Sequence, residues 1–309
     1  MTSETAELLA VVVVNYGSSA LLEQNLVGLS AELAGSLTVV VDNRTDDAER
    51  ARIAALAARH DWVAAYPDRN LGFGTGVNLG ASAAFARGAT HLLILNPDAQ
   101  IEAAAVRALL ARSTARPGGL FGPRILRPDG TVWFAGSDLH LDDGRLRHPS
   151  RRGTARVEPW LTGACLLIDS ELFTRVGGFD DDYFLYWEDV DLSHRVLAAG
   201  GRLELCDEIT AVHDEGGTHE DAPQRGRAKS DTYYYHVIRN RLLFAAKHLT
   251  DPDFRAWQRS ARAVAWETLL QGGRRQFLRS PRVLAVGWRA LRDGRQLAAR
   301  LRAARQPQH

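Results

Sequence analysis

The sequence predicts an α/β protein built on a doubly wound, mostly parallel sheet. Two observations carry this. Short β-branched runs alternate with segments of helical periodicity through about residue 115. The runs at 9–14, 37–41 and 91–95 each stop at a polar residue. The chain contains no internal repeat and no low-complexity tract.

Leu9-Ala-Val-Val-Val-Val14 is continuous and β-branched, as a strand buried on both faces must be. It stops at Asn15-Tyr16-Gly17-Ser18-Ser19, a turn with two serines able to cap a helix. Leu21, Leu22, Leu26, Leu29 and Leu33 then predict a helix over 20–34. Leu37-Thr-Val-Val-Val41 predicts a second strand ending on Asp42-Asn43, with a helix over 47–60 behind it. Trp62-Val-Ala-Ala-Tyr66 reads as a third short strand, and a helix beginning near Gly76 continues through Ser82 to Ala86. His91-Leu-Leu-Ile-Leu95 is the fourth strand and ends on Asn96-Pro97-Asp98. Doubly wound sheets bind ligands at the carboxyl edge of their strands. Asn15, Asp42 and Asp98 all fall on that edge.

Beyond residue 115, Pro117-Gly-Gly119, Pro128-Asp-Gly130 and Asp142-Asp-Gly144 mark turns between short strands. The polar, Arg-rich stretch 137–157 reads as a mobile loop. Apolar periodicity returns over Leu161 to Phe173. From about 228 the chain reads as helices, broken near Gly272-Gly273 and at Pro281.

The 309 residues are 45% hydrophobic and 24% charged, enough for a large core in one or two domains. Net charge is only +1, but it is uneven. From residue 251 onward 13 arginines face four acidic residues, while the rest holds 25 basic and 33 acidic residues. A basic end on an acidic body points to an anionic contact, a membrane surface or a partner before nucleic acid. Cys165 and Cys206 fit no metal spacing and read as buried reduced thiols of a cytoplasmic protein. Met1 to Glu7 is polar and the following apolar run is short, so neither a leader nor a bilayer span is expected.

Four constellations can carry chemistry. Asn96-Pro97-Asp98 places a carboxylate just past a buried strand, where it can hold Mn²⁺ or Mg²⁺ with a diphosphate as co-ligand. The plainer reading is a turn whose Asp98 caps a helix over 101–112. Residues 180–191 hold six carboxylates among four aromatics, and aromatic walls raise a carboxylate toward the range of a general base. There Glu188 to Asp191 crowd a predicted helix start, or serve only as solvated caps. His213 follows the strand-like Glu208-Ile-Thr-Ala-Val212 and matters only as a ligand beside Asp98. Asn70-Leu-Gly72-Phe73-Gly74-Thr-Gly76-Val-Asn78-Leu-Gly80 is a loop where backbone approaches a ligand closely, with a helix N-terminus behind it. Its glycine spacing departs from the dinucleotide fingerprint, which argues against a Rossmann dehydrogenase.

In their order these pieces resemble the bacterial family-two glycosyltransferases with the GT-A fold. The resemblance continues through Leu161-Thr-Gly-Ala164, Val176-Gly-Gly-Phe-Asp180, Tyr186-Trp-Glu-Asp-Val-Asp-Leu192 and Val212-His213, and covers about residues 9–248. Within the family it resembles the rhamnosyltransferase-like branch that builds cell-wall linkers, O-antigens and other polysaccharides. It implies a GT-A catalytic domain over 1–250, with a nucleotide-sugar half over about 1–115 and an acceptor half over about 116–250. A helical, basic C-terminal extension over 251–309 follows.

The resemblance also implies roles. Asp42 matches the residue that hydrogen-bonds the donor's pyrimidine, and Asn15, Asn70, Gly72, Phe73, Asn78 and Asn96 fall on the same nucleotide-sugar side. Asp98 matches the metal contact and His213 the histidine that completes the site, with Mn²⁺ or Mg²⁺ as cofactor. Asp189 matches the general base, and Trp160, Leu161, Thr162, Gly163 and Glu188 the acceptor side. The implied reaction is inverting transfer from a dTDP- or UDP-sugar, rhamnose from dTDP-rhamnose first. The acceptor is a hydroxyl of a glycan, a lipid-linked glycan or a small molecule. One displacement needs one base and a stabilised leaving group, not a second carboxylate nucleophile.

For the tail, Leu284, Trp288, Leu291, Ala298 and Leu301 read as an apolar stripe on an Arg-bearing helix. Two readings stand: peripheral contact of 251–309 with anionic lipid at the inner face of the cytoplasmic membrane, or packing on the catalytic domain or a second subunit in a homo-oligomer. Nucleic acid is not an expected partner. A catalytically idle GT-A scaffold should have lost its carboxylates, whereas Asp98 and Asp189 are present with His213. A nucleotidyltransferase would carry a basic residue in the turn after the first strand, and 15–19 has none. Tyr233-Tyr-Tyr235 and Arg239-Asn240 receive no role from sequence.

Overall fold

The β-branched runs form the centre of a nine-stranded sheet in the computed structural model, which describes residues 7–151, 153–214 and 229–305. Met1 to Ala6, read above for a leader, and 306–309 of the tail lie outside the described residues. The elements run β1 (Leu9–Asn15), α1 (Ser19–Asn25), α2 (Val27–Glu32), β2 (Leu37–Asp42), α3 (Asp47–His60), β3 (Val63–Ala65), α4 (Phe73–Phe85) and β4 (His91–Leu95). Then come β5 (Ala99–Ile101), α5 (Ala103–Ala115), β6 (Gly119–Leu126), β7 (Val132–Phe134), β8 (Ser137–His140), β9 (Arg145–Arg147), β10 (Val157–Trp160) and β11 (Cys165–Asp169). The chain closes with α6 (Ser170–Arg175), α7 (Glu188–Ala198), β12 (Arg202–His213), α8 (Asp231–His248), α9 (Asp251–Leu270), α10 (Gln276–Arg279) and α11 (Arg282–Arg305).

The sheet order is β3-β2-β1-β4-β11-β6-β12-β5, with β7 paired to β6. β1 pairs parallel with β2 and β4, β2 with β3, and β6 with β12. β11 enters antiparallel between β4 and β6, and β5 pairs antiparallel with β12. Both faces of β1 are covered. Val11 and Val13 join one core cluster with Leu22, Leu26 and Ile53, while Val12 and Val14 join another with Val77, Ala81 and Leu192. Two-sided burial explains why the central strands read as unbroken apolar runs.

Before residue 160 the structure differs from the sequence expectations in four places. The helix predicted over 20–34 is two helices, α1 and α2, parted at Leu26. The buried leucines keep their spacing through the break, so periodicity does not register it. The helix expected near Gly76 starts at Phe73, and its glycines let it lie close on β1. A Cβ on Gly80 would stand 2.5 Å from Val12 Cγ1. Asp98 does not cap the next helix: β5 intervenes, and α5 is preceded by Glu102 with no side-chain cap. The stretch 137–157, expected as a mobile loop, carries β8, β9 and the start of β10, which form a three-stranded sheet in the order β10-β8-β9. Arginines of this stretch are held in ion pairs, Arg147 with Asp143 at 2.6 Å and Arg156 with Asp253 at 2.6 Å.

Contacts group the chain into two units. The first runs to Gly136 and adds Trp160–Phe184 and the segment from Glu188 through β12; it contains the nine-stranded sheet. The second holds Ser137–Pro159, Leu185–Trp187 and helices α8 to α11. Its core joins Tyr234 and Ile238 of α8 to Ala265 and Leu269 of α9 and to Val283, Val286 and Ala290 of α11. The expected helix breaks fall where glycine and proline put them, after Leu270 and before Arg282. The expected apolar stripe of α11 divides: Ala298 is buried, Leu291 and Leu301 are half-buried, and Leu284 and Trp288 face outward. Both thiols are free and buried, and burial pushes Cys165 up to about 12. Among the described residues no helix is long and apolar enough to cross a membrane.

Candidate active site

The carboxyl ends of β1 and β2 stand in register, with Asn15 opposite Asp42, and both side chains are buried. Asp42 accepts from Arg50 Nε at 2.7 Å through Oδ2, while its buried Oδ1 has no hydrogen-bond partner among the described residues. The Arg50 guanidinium lies 5.6 Å from the centre of the half-exposed Tyr66 ring. A buried acceptor next to an open aromatic face is a pairing suited to a planar base that donates N–H.

The turn after β1 is held by a residue that sequence reasoning missed. Glu49 of α3 is buried and accepts from Ser19 N–H at 2.6 Å, Ser19 Oγ at 2.9 Å and Asn15 Nδ2 at 3.1 Å. Burial alone would raise its carboxyl, but the Arg52 guanidinium and the Ser19 and Asn15 donors outweigh this and hold it below its ordinary value. No spacing rule marks it, because Asp47-Ala-Glu49-Arg50 reads like any solvated first turn.

The glycine-rich loop is organised by a second missed residue, Asn43. Its Nδ2 donates to Asn70 Oδ1 at 2.9 Å and to the Gly72 carbonyl at 3.0 Å, and its Oδ1 accepts from Leu71 N–H. Gly72 sits at φ +84, and a Cβ there would overlap the Phe184 carbonyl oxygen. That carbonyl accepts from Phe73 N–H at 3.0 Å. Asn78 exchanges two hydrogen bonds with the backbone of Phe179, each 2.8 Å. Its amide therefore anchors the loop to the segment that follows α6.

Asp98 and His213 are joined by strand pairing. β12 runs antiparallel to β5 with His213 opposite Ala99, and Asp214 N–H donates to the Asp98 carbonyl at 3.1 Å. The side chains meet with Nε2 3.0 Å from Oδ1, both nearly buried. Trp133 of β7 packs its ring 4.5 Å from that of His213, and Phe134 packs on Trp160 at 5.2 Å. Sequence reasoning found Trp160 but not the aromatic pair Trp133-Phe134.

The segment Leu161–Ala164 connects Asn96, just past the end of β4, to the carboxylates of α7. Asn96 N–H donates to the Ala164 carbonyl at 3.0 Å, and Gly163 N–H donates to Asp189 Oδ2 at 3.0 Å. Leu161 is fixed by its N–H on Ser193 Oγ, and Thr162 is buried. Gly163 faces the Phe73 ring, where a Cβ would stand 3.2 Å from Cε1. Phe73, Gly163 and Asp189 are thus brought together, and Asn96 lies one residue of chain away from them.

Burial dominates the electrostatics of α7. It pushes Asp189 up to about 6, against the lowering effect of the Gly163 and Val190 N–H groups. Glu188 is pushed well above the usual carboxylate range by burial first and by Asp189 second. Asp189 is therefore largely ionised at neutral pH, while burial and the neighbouring Asp189 favour the protonated form of Glu188. The other carboxylates of the 180–191 cluster have structural partners: Asp191 accepts from Arg195 at 2.7 Å and Asp181 from Thr75 at 2.9 Å. Immediately before α7, Tyr186 and Trp187 lie at φ +63 and +76, a conformation that costs non-glycine residues free energy.

Asp98 and His213 fit a divalent cation in donor type and spacing. Two adjacent ligands of an octahedral ion with bonds of about 2.1 Å stand about 3 Å apart, and the observed separation is 3.0 Å. No group of three or more His, Cys, Asp or Glu among the described residues could hold a metal alone. The remaining ligands would have to come from water and a bound diphosphate.

A sheet with polar strand ends, a glycine-rich loop and a buried base-like carboxylate defines a nucleotide-dependent group-transfer enzyme. The model of the family described as "glycosyltransferase like family 2" matches residues 6–228, and the chain belongs to this family. It is 34% identical over 223 residues to the N-acetylglucosaminyl-diphospho-decaprenol L-rhamnosyltransferase of Mycobacterium tuberculosis, covering 63% of this chain and 72% of that one. Among solved structures it resembles the mannosyltransferase PcManGT of Pyrobaculum calidifontis in complex with GDP-Man and Mn²⁺ (TM-score 0.54, 18% identity, 96% of this chain and 78% of that one). It also resembles GalNAc-T7 with UDP, GalNAc and Mn²⁺ (TM-score 0.53, 13% identity, 82% of this chain); there it spans 55% of the other chain. The fold is GT-A, and the chain is a nucleotide-sugar-dependent glycosyltransferase.

Proposed function

We propose that this glycosyltransferase moves a sugar, rhamnose from dTDP-rhamnose first, onto a hydroxyl of a lipid-linked or other glycan with inversion. The observation that carries the reading is the bridge of hydrogen bonds from Asn96 through Ala164 and Gly163 to Asp189. It fixes a buried carboxylate that ionises at about 6 beside the segment that leads to Asp98.

Asp189 is the general base. The acceptor hydroxyl must lose a proton as its oxygen attacks the anomeric carbon, and a carboxylate near 6 is ionised at neutral pH yet basic enough to take it. Burial favours the protonated form of Glu188, and in that form it would donate to an acceptor oxygen without adding a second negative charge. Trp160, Leu161, Thr162 and Gly163 form the acceptor side, with Trp133 and Phe134 extending its aromatic wall. On the donor side Asp42 Oδ1 accepts the pyrimidine N–H. Asn15, Asn70, Gly72, Phe73, Asn78 and Asn96 shape the loop and strand edge around the diphosphate and sugar. Asp98 and His213 would hold Mn²⁺ or Mg²⁺, which would supply positive charge to offset that on the departing diphosphate.

Rhamnose is placed first because the 34%-identical relative is a rhamnosyltransferase, and a lipid-linked acceptor because that relative's name contains a diphospho-decaprenol. UDP-linked hexoses are the competitors, since few pocket residues separate one sugar from another. A mass-spectrometric screen of dTDP- and UDP-sugars with Mn²⁺ tests the donor. Turnover of dTDP-rhamnose above the others is expected; turnover of UDP-sugars alone would overturn the rhamnosyl assignment.

A further inference from the structure

The helical unit carries its exposed apolar surface at one end. Leu278 is 89% exposed, Trp288 65%, Trp266 48% and Leu284 43%, and they are the only large exposed apolar side chains among the described residues of α8 to α11 and their connections. All four fall between residues 266 and 288, where α9 gives way to α10 and α11. Trp266 stacks on Phe277 at 5.2 Å, and Leu269 of α9 lies against Gly287 of α11, which brings the two helices together at this end. Leu284 and Trp288 are four apart, on one outward face of α11.

The charge along this stretch is mostly of one sign, although Arg282 pairs with Asp231 at 2.8 Å and Arg292, which lies over the Trp288 ring, pairs with Asp293. Residues 266–288 contain four arginines and a single acid, Glu267, which is already paired with Arg145 at 2.6 Å. Arg255, Arg259 and Arg262 lead to Trp266 at spacings of four, three and four, all exposed on one face of α9. Arg274 and Arg275 are exposed just before Phe277 and Leu278.

We propose that this end of the helical unit docks on an anionic phospholipid bilayer. Tryptophan and leucine enter the headgroup boundary, where an indole is favoured, and the arginines meet lipid phosphates. A second copy of the chain is the poorer occupant, because the same basic rim would face itself across a two-fold interface. No helix need cross the bilayer for this contact. The surface would hold the enzyme where a lipid-linked acceptor lies, and to that extent it deepens the acceptor reading above.

The test uses the full chain with phosphatidylcholine vesicles, with and without phosphatidylglycerol, and with no sugar nucleotide, so that it is read separately from transfer. Binding to the anionic vesicles alone is expected. The double variant Leu278→Ser, Trp288→Ser should bind them at least about tenfold more weakly. Arg274→Gln and Arg275→Gln should each cost about fivefold. These four side chains are on the surface, so unchanged circular dichroism and melting should accompany the loss. The proposal is overturned if the native chain ignores anionic vesicles, if it binds neutral ones equally, or if the double variant binds as well as the native chain. It is also overturned if sedimentation equilibrium shows a native dimer that the double variant breaks, which would assign the surface to a second copy.

Discussion

Asp98 Oδ1 lies 3.0 Å from His213 Nε2, although 115 residues of chain separate the two. Antiparallel pairing of β5 with β12 sets that distance, and the imidazole leans on Trp133. The pair is positioned by backbone, so its side chains can be changed without disturbing the sheet. His213→Ala and Asp98→Asn should each weaken Mn²⁺-dependent nucleotide binding by at least about a hundredfold. The stability of the metal-free protein should move little. Calorimetric titration of UDP or dTDP with and without Mn²⁺ checks this; equal metal dependence in the variants would remove both residues from the metal site.

Glu188 predicts a pH dependence of stability. Its folded carboxyl is raised by burial, so folding favours the protonated form. The stabilising contribution is complete below the unfolded value near 4.5 and is lost as pH rises toward the folded one. Glu188→Gln should therefore melt like the native chain below pH 4.5 and higher than it at pH 7, by about 1–3 kcal/mol. Calorimetry at both pH values decides it, and a variant less stable at pH 7 would contradict the assigned protonation.

Glu49 has the opposite sign. Its carboxyl is held below 4.5 when folded, so its contribution is present above 4.5 and disappears as pH falls through the lowered value. Glu49→Gln should cost about 1–3 kcal/mol at pH 7, because an amide cannot accept at both oxygens from Ser19, Asn15 and Arg52. Denaturant unfolding at pH 7 and pH 3.5 should show the deficit shrinking at the lower pH. A constant deficit would mean that the lost contacts are not ionic.

Asn240 now has a structural role. Its Nδ2 donates to the carbonyls of Leu185 at 2.9 Å and Tyr186 at 2.7 Å, beside the two left-handed residues Tyr186 and Trp187. Asn240→Asp keeps the shape but lacks the donor and should destabilise by about 1–3 kcal/mol. A chemical melt indistinguishable from that of the native chain would show that the turn holds itself.

The parts of the fold legible in sequence were those with a local signal. β1, β2 and β4 are β-branched runs buried on both faces, and α3, α8 and α9 carry ordinary helical spacing. β5, β7, β8 and β9 are three or four residues long and exist because a neighbour offers an edge, which no window of sequence records. The buried stripe of α11 runs through Val283, Val286, Ala290 and Ala298, with Gly287 and Gly294 in contact with other helices. Passing over the small residues Val283, Val286 and Ala290 and the helix-contacting glycines rotated the start of the stripe onto Leu284 and Trp288. In the site, Asp98 was marked by its place past a buried strand and His213 by family order, but their contact depends on a long-range strand register. Glu49 and Asn43 escaped because their work is done by hydrogen bonds to distant backbone, a role their side-chain types do not announce.

The central claim is that Asp189 takes the acceptor's proton. Asp189→Asn keeps the size of the side chain and removes its basicity. Transfer and donor affinity should be measured side by side, with transfer in the native chain followed from pH 5 to pH 8. A rising native limb with its midpoint near 6 is expected. So is a variant that binds nucleotide sugar within about threefold of native but transfers at least about a thousandfold more slowly. Transfer by Asp189→Asn at the native rate would contradict the account.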